Sequence, residues 1–264
     1  MTTGPDRSVG STAVPGRATA ASRWRTTVAQ MAMELRLTSR RGENVLVTVV
    51  IPAVVLVFFA SMQLVPTGAG DPLDFLVPGA LTLAIIATGL VNLGIATAYE
   101  RHYGVLKRLG GSPLTRSGLM TAKVGTVFVV EVLQIVLLIA IAVAFGWHVG
   151  EGASAVAFLA AWGLGTLAFA GLGLLMAGTL RAEATLALAN AAFVACLLLG
   201  GIVVPVDHLP QPLAALAAVL PPAALSEAFR VALGSQAGSA APFAILAGWA
   251  VGAVALTART FRWE

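Results

Sequence analysis

Six stretches of this chain stay apolar for close to 20 residues or more, and most are joined by short polar connections. A helix rises about 1.5 Å per residue, so a run of about 20 residues crosses the roughly 30 Å of a bilayer's hydrocarbon. Inside lipid every backbone N–H and C=O needs a partner, and a helix supplies these within its own segment. The expected fold is an all-α integral membrane protein. Its six transmembrane helices fall at about residues 44–65, 74–99, 124–147, 153–180, 184–204 and 240–257. Composition points the same way, since charged residues make up 11% of the chain, against about 25% in a soluble domain.

Three segments fall outside the spans. Residues 1–21 are rich in Gly, Ser, Thr, Pro and Ala, with no apolar period, and read as a disordered cytoplasmic tail rather than a signal peptide. Residues 22–43 place Trp24, Val28, Met31 and Leu35 at helical spacing among Arg23, Arg25, Gln30, Glu34 and Arg36. That pattern suits an amphipathic helix in the membrane interface, with arginines toward the headgroups, or a helix packed on a partner protein. Residues 205–238 hold five prolines around two apolar patterns of about ten residues, each half the length of a crossing. A pair of short external or re-entrant helices before the last span fits them best.

Charge sets the orientation. The N-terminal region, the 100–123 loop, the 181–183 turn and the C-terminus carry 15 of the 16 basic residues, leaving only Arg230 on the other side. Cytoplasmic loops collect Lys and Arg, so both termini are expected in the cytoplasm, with 44–264 forming the transmembrane domain. The formal net charge of +4 then reflects orientation rather than nucleic-acid binding. Arginine greatly outnumbers lysine in a chain rich in Ala, Gly and Val, which points to a GC-rich bacterial genome; the expected location of such a multi-pass chain is the bacterial plasma membrane. The single cysteine, Cys196, lies in an apolar run and reads as packing.

Several chemistries lack their motifs. Neither lysine completes a Gly-x-x-x-x-Gly-Lys-Ser/Thr phosphate loop, and there is no His-Glu-x-x-His. The three histidines, 102, 148 and 208, lie in or beside loops. No catalytic, cofactor-binding or metal-binding set of residues emerges.

The informative segment is the 100–123 loop. It extends the second span into the cytoplasm, and Gly110 and Gly111 then end a helix. Ser112 can cap a new short helix, with Pro113 at its first position, that leads back to Lys123. Leu106 and Leu109 give the loop an apolar edge among cations, suited to docking on a protein. As a plain positive-inside anchor the loop would need only its arginines. It also carries Glu100, Arg101, Gly104, Leu106, Lys107, Arg108, Leu109, Ser112, Pro113 and Leu114. This run resembles the Glu-Arg-x-x-Gly-x-Leu-x-x-Leu…Ser/Thr-Pro-Leu pattern in membrane subunits of type-2 ATP-binding-cassette exporters. The likeness extends to the layout of residues 22–262, and among relatives it is most similar to the daunorubicin-resistance-type exporters of actinobacteria.

The resemblance implies a coupling helix that docks on a separate cytoplasmic ATPase. It also implies a complex of two permeases, alike or homologous, with two ATPase subunits. ATP and Mg would be bound by those partners, with no cofactor in this chain. A cavity lined by the first, second and fifth spans would pass a drug, antibiotic or lipid-like small amphipathic molecule; short loops argue mildly against a large polymer.

Within the spans, Glu131 and Gln134 share a helix face. An acidic side chain at membrane depth costs about 2.5–3.5 kcal/mol on insertion scales, so Glu131 should face protein or water. It either lines a transport path or ties two helices together. Asn92 and Asn190 have the same two roles open to them. The glycines of the fourth span, Gly163, Gly165, Gly171, Gly173 and Gly178, invite close helix packing. Two other readings remain: an ion-gradient-driven secondary transporter using Glu131, though the halves show no internal repeat, and an intramembrane enzyme or assembly factor.

Overall fold

A computed structural model describes residues 23–40, 42–62, 71–111 and 114–261. The 1–21 tail, the connection at 63–70, Ser112, Pro113 and residues 262–264 lie outside the described residues. Helix α1 is Arg23–Arg40 and α2 is Gly42–Met62, with Pro52 inside it. Helix α3, Pro72–His102, is followed by the six-residue α4, Val105–Gly110. Then come α5 (Arg116–Ala144), α6 (Ala155–Thr179), α7 (Ala182–Leu199), α8 (Gln211–Val219), α9 (Pro221–Ala232) and α10 (Ala241–Thr260). The described residues contain no strand.

Helices α3, α5, α6, α7 and α10 are long and apolar enough to cross a membrane. Helix α2, at 21 residues or about 31 Å, has the length of a crossing and corresponds to the first expected span, though its clearly apolar part is the shorter stretch Thr48–Met62. The all-α membrane fold therefore matches the expectation from the apolar runs. Helix α3 is the hub. Every residue from 76 to 90 is buried, as expected of a helix apolar all round. Helices α2, α5, α6, α7 and α9 all pack against it. The other spans bury one stripe and leave the rest to lipid or to partners.

Helix α3 carries an irregularity that its sequence conceals. Residues Ile86–Asn92 form a π-helical turn, and Leu93 N–H reaches back to Thr88 O. The fourth span crosses α3 at this turn. A Cβ built on Gly173 would lie 2.5 Å from Gly89 O and 2.9 Å from Leu90 O, so only glycine allows the two backbones this close. Gly165, Gly171 and Gly178 likewise face close neighbours, whereas Gly163 faces open space.

Two expected boundaries move. The third span begins as a helix at Arg116 rather than near residue 124, so the return from the loop and the span form one 29-residue helix. Its N-cap is Thr115, whose Oγ1 accepts a bond from Gly118 N–H at 3.1 Å; the cap expected at Ser112 lies outside the described residues. Thr115 holds the extended backbone that a capping residue needs (φ −80°, ψ 160°).

The proline-rich segment forms the two short helices anticipated for it, α8 and α9, bent by 75°. Helix α9 does not lie on the surface. Ten of its 12 residues are buried, and it wedges between α3, α6 and α10. Arg230, the single basic residue on the outer side, is buried there. It donates to Gly201 O just past the end of α7, and its guanidinium lies 4.2 Å over the Phe75 ring. Ser226 Oγ bonds the neighbouring Gly200 O at 2.6 Å.

Candidate functional site

The residues singled out in the 100–123 loop lie where α3 leaves the membrane. After His102 the chain turns at Gly104, whose φ of 69° is a left-handed conformation that favours glycine. Helix α4 follows and ends at Gly110–Gly111. The turn aims the faces of α4 in opposite directions. Leu106 is 0% exposed and packs in a cluster with Leu93 of α3, Leu114, Leu119 and Val127 of α5, Leu174 of α6 and Phe261. Leu109 packs against the same cluster. The two leucines therefore do not form an outward docking edge as expected; they fasten α4 to the ends of three spans. The outward face is His102, Tyr103 (67% exposed), Val105, Lys107 and Arg108. Tyr99, His102 and Tyr103 stack into an aromatic group, with ring centroids of Tyr99 and Tyr103 6.1 Å apart.

Glu100 and Arg101 point to different sides of the bundle. Glu100 Oε2 accepts from Lys123 Nζ at 2.6 Å, and the same ammonium lies 3.0 Å from Glu34 Oε1 of α1. Lys123 is 2% exposed, and the two carboxylates are 12% and 13% exposed. Gln30 Nε2 adds a 2.9 Å bond to Glu34. Arg101 donates to Leu180 O at the cytoplasmic end of α6. Glu34 had read as one more polar residue of an interfacial helix. Its role becomes visible only once α1 is laid along α5, with Thr27 beside Gly118 and Met31 beside Gly125. The exposed side of α1 carries Trp24, Val28 and Met33 with Arg25, Arg36 and Arg40. Beside the ion cluster lies a cavity of about 50 Å³ bordered by Glu34, Lys123, Thr88, Asn92 and Thr126.

Deeper in the membrane, Glu131 is fully buried. Its Oε2 accepts from Trp162 Nε1 at 2.7 Å and from Thr166 Oγ1 at 2.6 Å, both on α6. Its Oε1 has no hydrogen-bond partner among the described residues. Gln134 Nε2 donates to Thr48 O of α2 at 3.1 Å, and Gln134 Oε1 accepts from Thr88 Oγ1 at 2.9 Å. Both residues tie helices together, so the structure brings neither of them to an open path. Asn92 is half-buried at the cavity wall. Asn190 is exposed and bonds Leu186 O of its own helix, so it bridges no helices among the described residues.

This arrangement holds a polar, cation-bearing elbow beneath six packed spans, and the family comparison gives it a context. The ABC-2 type transporter membrane domain matches residues 27–233. The chain belongs to the ABC-2 type transporter family. No curated protein matches it. An ABC-2 membrane domain is a transport permease rather than a catalytic unit, and it works as the multi-pass membrane subunit of an ATP-binding-cassette exporter, together with an ATPase subunit. The match begins within α1, includes the elbow and α9, and ends before α10.

Proposed function

We propose that this ABC-2 permease works in a bacterial plasma membrane, pairs with a second copy or a homologue, and exports a small amphipathic molecule of the daunorubicin-resistance type. Two cytoplasmic ATPase subunits, which bind ATP and Mg, dock on the elbow formed by α4. The observation that carries this reading is the two-sided build of α4. Tyr103, Val105, Lys107 and Arg108 face outward, while Leu106 is sunk among residues of α3, α5 and α6. Tyrosine and arginine are the residue types that anchor protein interfaces, and a push on that face reaches three spans through Leu106. Leu114, of the same motif as Ser112 and Pro113, lies buried in the cluster that holds Leu106.

Helix α7 supports the pairing. Only Ala182, Thr185 and Ala189 are buried along it, so Asn190, Leu188, Val194 and Leu198 stand open to lipid or to a second permease. Helix α3 is covered by its own chain, so the wall of a cavity between two permeases falls to α2 and α7 rather than to the second span.

The test is co-purification. A tagged permease expressed with its neighbouring ATPase gene should retain the ATPase, and Tyr103→Ala combined with Arg108→Glu should release it while the permease still reaches the membrane. Retention of the ATPase by the double variant would refute this docking face.

A further inference from the structure

The ion cluster at Lys123 joins elements that the coupling reading leaves unconnected. Glu34 lies on α1 at the membrane edge. Glu100 lies at the end of α3, four residues before Gly104 and the elbow, and Lys123 belongs to α5. One ammonium, 2% exposed, thus holds two carboxylates from two other helices. Parting either carboxylate from Lys123 would leave charge unpaired in a poorly solvated place, which is far costlier than breaking a surface pair. Removing the lysine does more than delete a contact. It leaves two neighbouring carboxylates that repel one another.

Below the cluster α3 departs from regular α-helix. The π-helical turn Ile86–Asn92 interrupts the regular bonding of α3, and such turns collect at functional sites. The cavity of about 50 Å³ lies between this turn and the ion cluster, with Thr88 and Asn92 on one wall and Glu34 and Lys123 on another. It is bordered by α1, α3 and α5 alone and has room for water, so the turn has open space on the side that α6 does not cover.

We infer that Lys123 is a positioning residue that makes α1 and the elbow move as one body, with the Ile86–Asn92 turn as the joint between that body and the outer half of α3. The inference rests on the coupling reading above and deepens it. A push on α4 then reaches α1 through Glu100, Lys123 and Glu34, and reaches α6 through Arg101 and Leu180.

The test uses the permease–ATPase complex in nanodiscs, with Cys196→Ser as background. Spin labels go on Met33→Cys in α1, Gly111→Cys at the end of α4 and Val251→Cys in α10, all exposed positions outside the docking face. Pairwise distances are measured without nucleotide and after trapping with ATP and vanadate. In the native complex the 33–251 and 111–251 distances should change together while 33–111 stays fixed. With Lys123→Met, 33–111 should lengthen and broaden and 33–251 should stop responding; Lys123→Arg should restore the native pattern. If Lys123→Met does not assemble, Glu34→Gln carries the same comparison, because it leaves Lys123 paired with Glu100. A 33–111 distance that changes in the native complex, or that is unaltered in the variants, overturns the role of Lys123. If 111–251 itself ignores nucleotide, the coupling reading fails, and this inference fails with it.

Discussion

Gly173 offers the sharpest test of how the bundle is packed. Changing it to alanine places a methyl 2.5 Å from Gly89 O and 2.9 Å from Leu90 O. Those atoms are backbone, in a segment buried on all sides, and cannot step aside as a flexible side chain would. Overpacking of this kind costs about 1–3 kcal/mol. Gly163→Ala is the matched control, in the same helix but with nothing within 4 Å of the added methyl. Both variants gain the same helix propensity, up to about 1 kcal/mol in water, so their difference isolates the crossing. For domains of about 150–250 residues, 1 kcal/mol corresponds to about 2–4 °C in Tm. Gly173→Ala should therefore melt roughly 2–12 °C below Gly163→Ala in thermal unfolding of detergent-purified protein followed by size-exclusion fluorescence. Equal melting, or a more stable Gly173→Ala, would refute the close approach of α6 to the π-helical turn.

Two further substitutions probe the buried polar residues. Glu131→Gln keeps an acceptor for Trp162 and Thr166 and should preserve folding and ATP-driven transport, even with the proton gradient collapsed. Glu131→Ala strands the Trp162 N–H and should cost about 1–3 kcal/mol in Tm-based stability. A well-folded Glu131→Gln that no longer transports would move Glu131 from helix tie to transport path. Arg230→Ala loses a charged hydrogen bond worth about 1.5–3 kcal/mol and a ring contact worth about 0.5–2 kcal/mol. It should lower Tm clearly, and an unchanged Tm would mean that α9 is not anchored at Gly201.

Much of the fold was legible because membrane burial writes its demands into local sequence. Apolar length gave the spans, and five prolines among short apolar patterns gave the bent pair α8 and α9. What escaped depends on contacts between distant segments. Lys123 read as the end of a basic loop because Glu34 is remote in sequence. Leu106 and Leu109 looked like a docking edge because spacing gives a helix two faces without saying which turns inward. The π-helical turn at Ile86–Asn92 has no proline or charge to announce it. Only the structure pairs Gly89 and Gly94 of α3 with Gly173 of α6. Glu131 and Gln134 fall on one face as the spacing says, but spacing alone could not supply their partners on neighbouring helices, Trp162, Thr166, Thr48 and Thr88.

The central claim is that the elbow around Tyr103 faces the cytoplasm and is covered by an ATPase. Its most direct test is labelling of Tyr103→Cys, in a Cys196→Ser background, with a membrane-impermeant maleimide. The account predicts no labelling in intact cells, labelling in inside-out vesicles stripped of ATPase, and protection when the ATPase is bound. Labelling from outside intact cells, or equal labelling with and without bound ATPase, would contradict it.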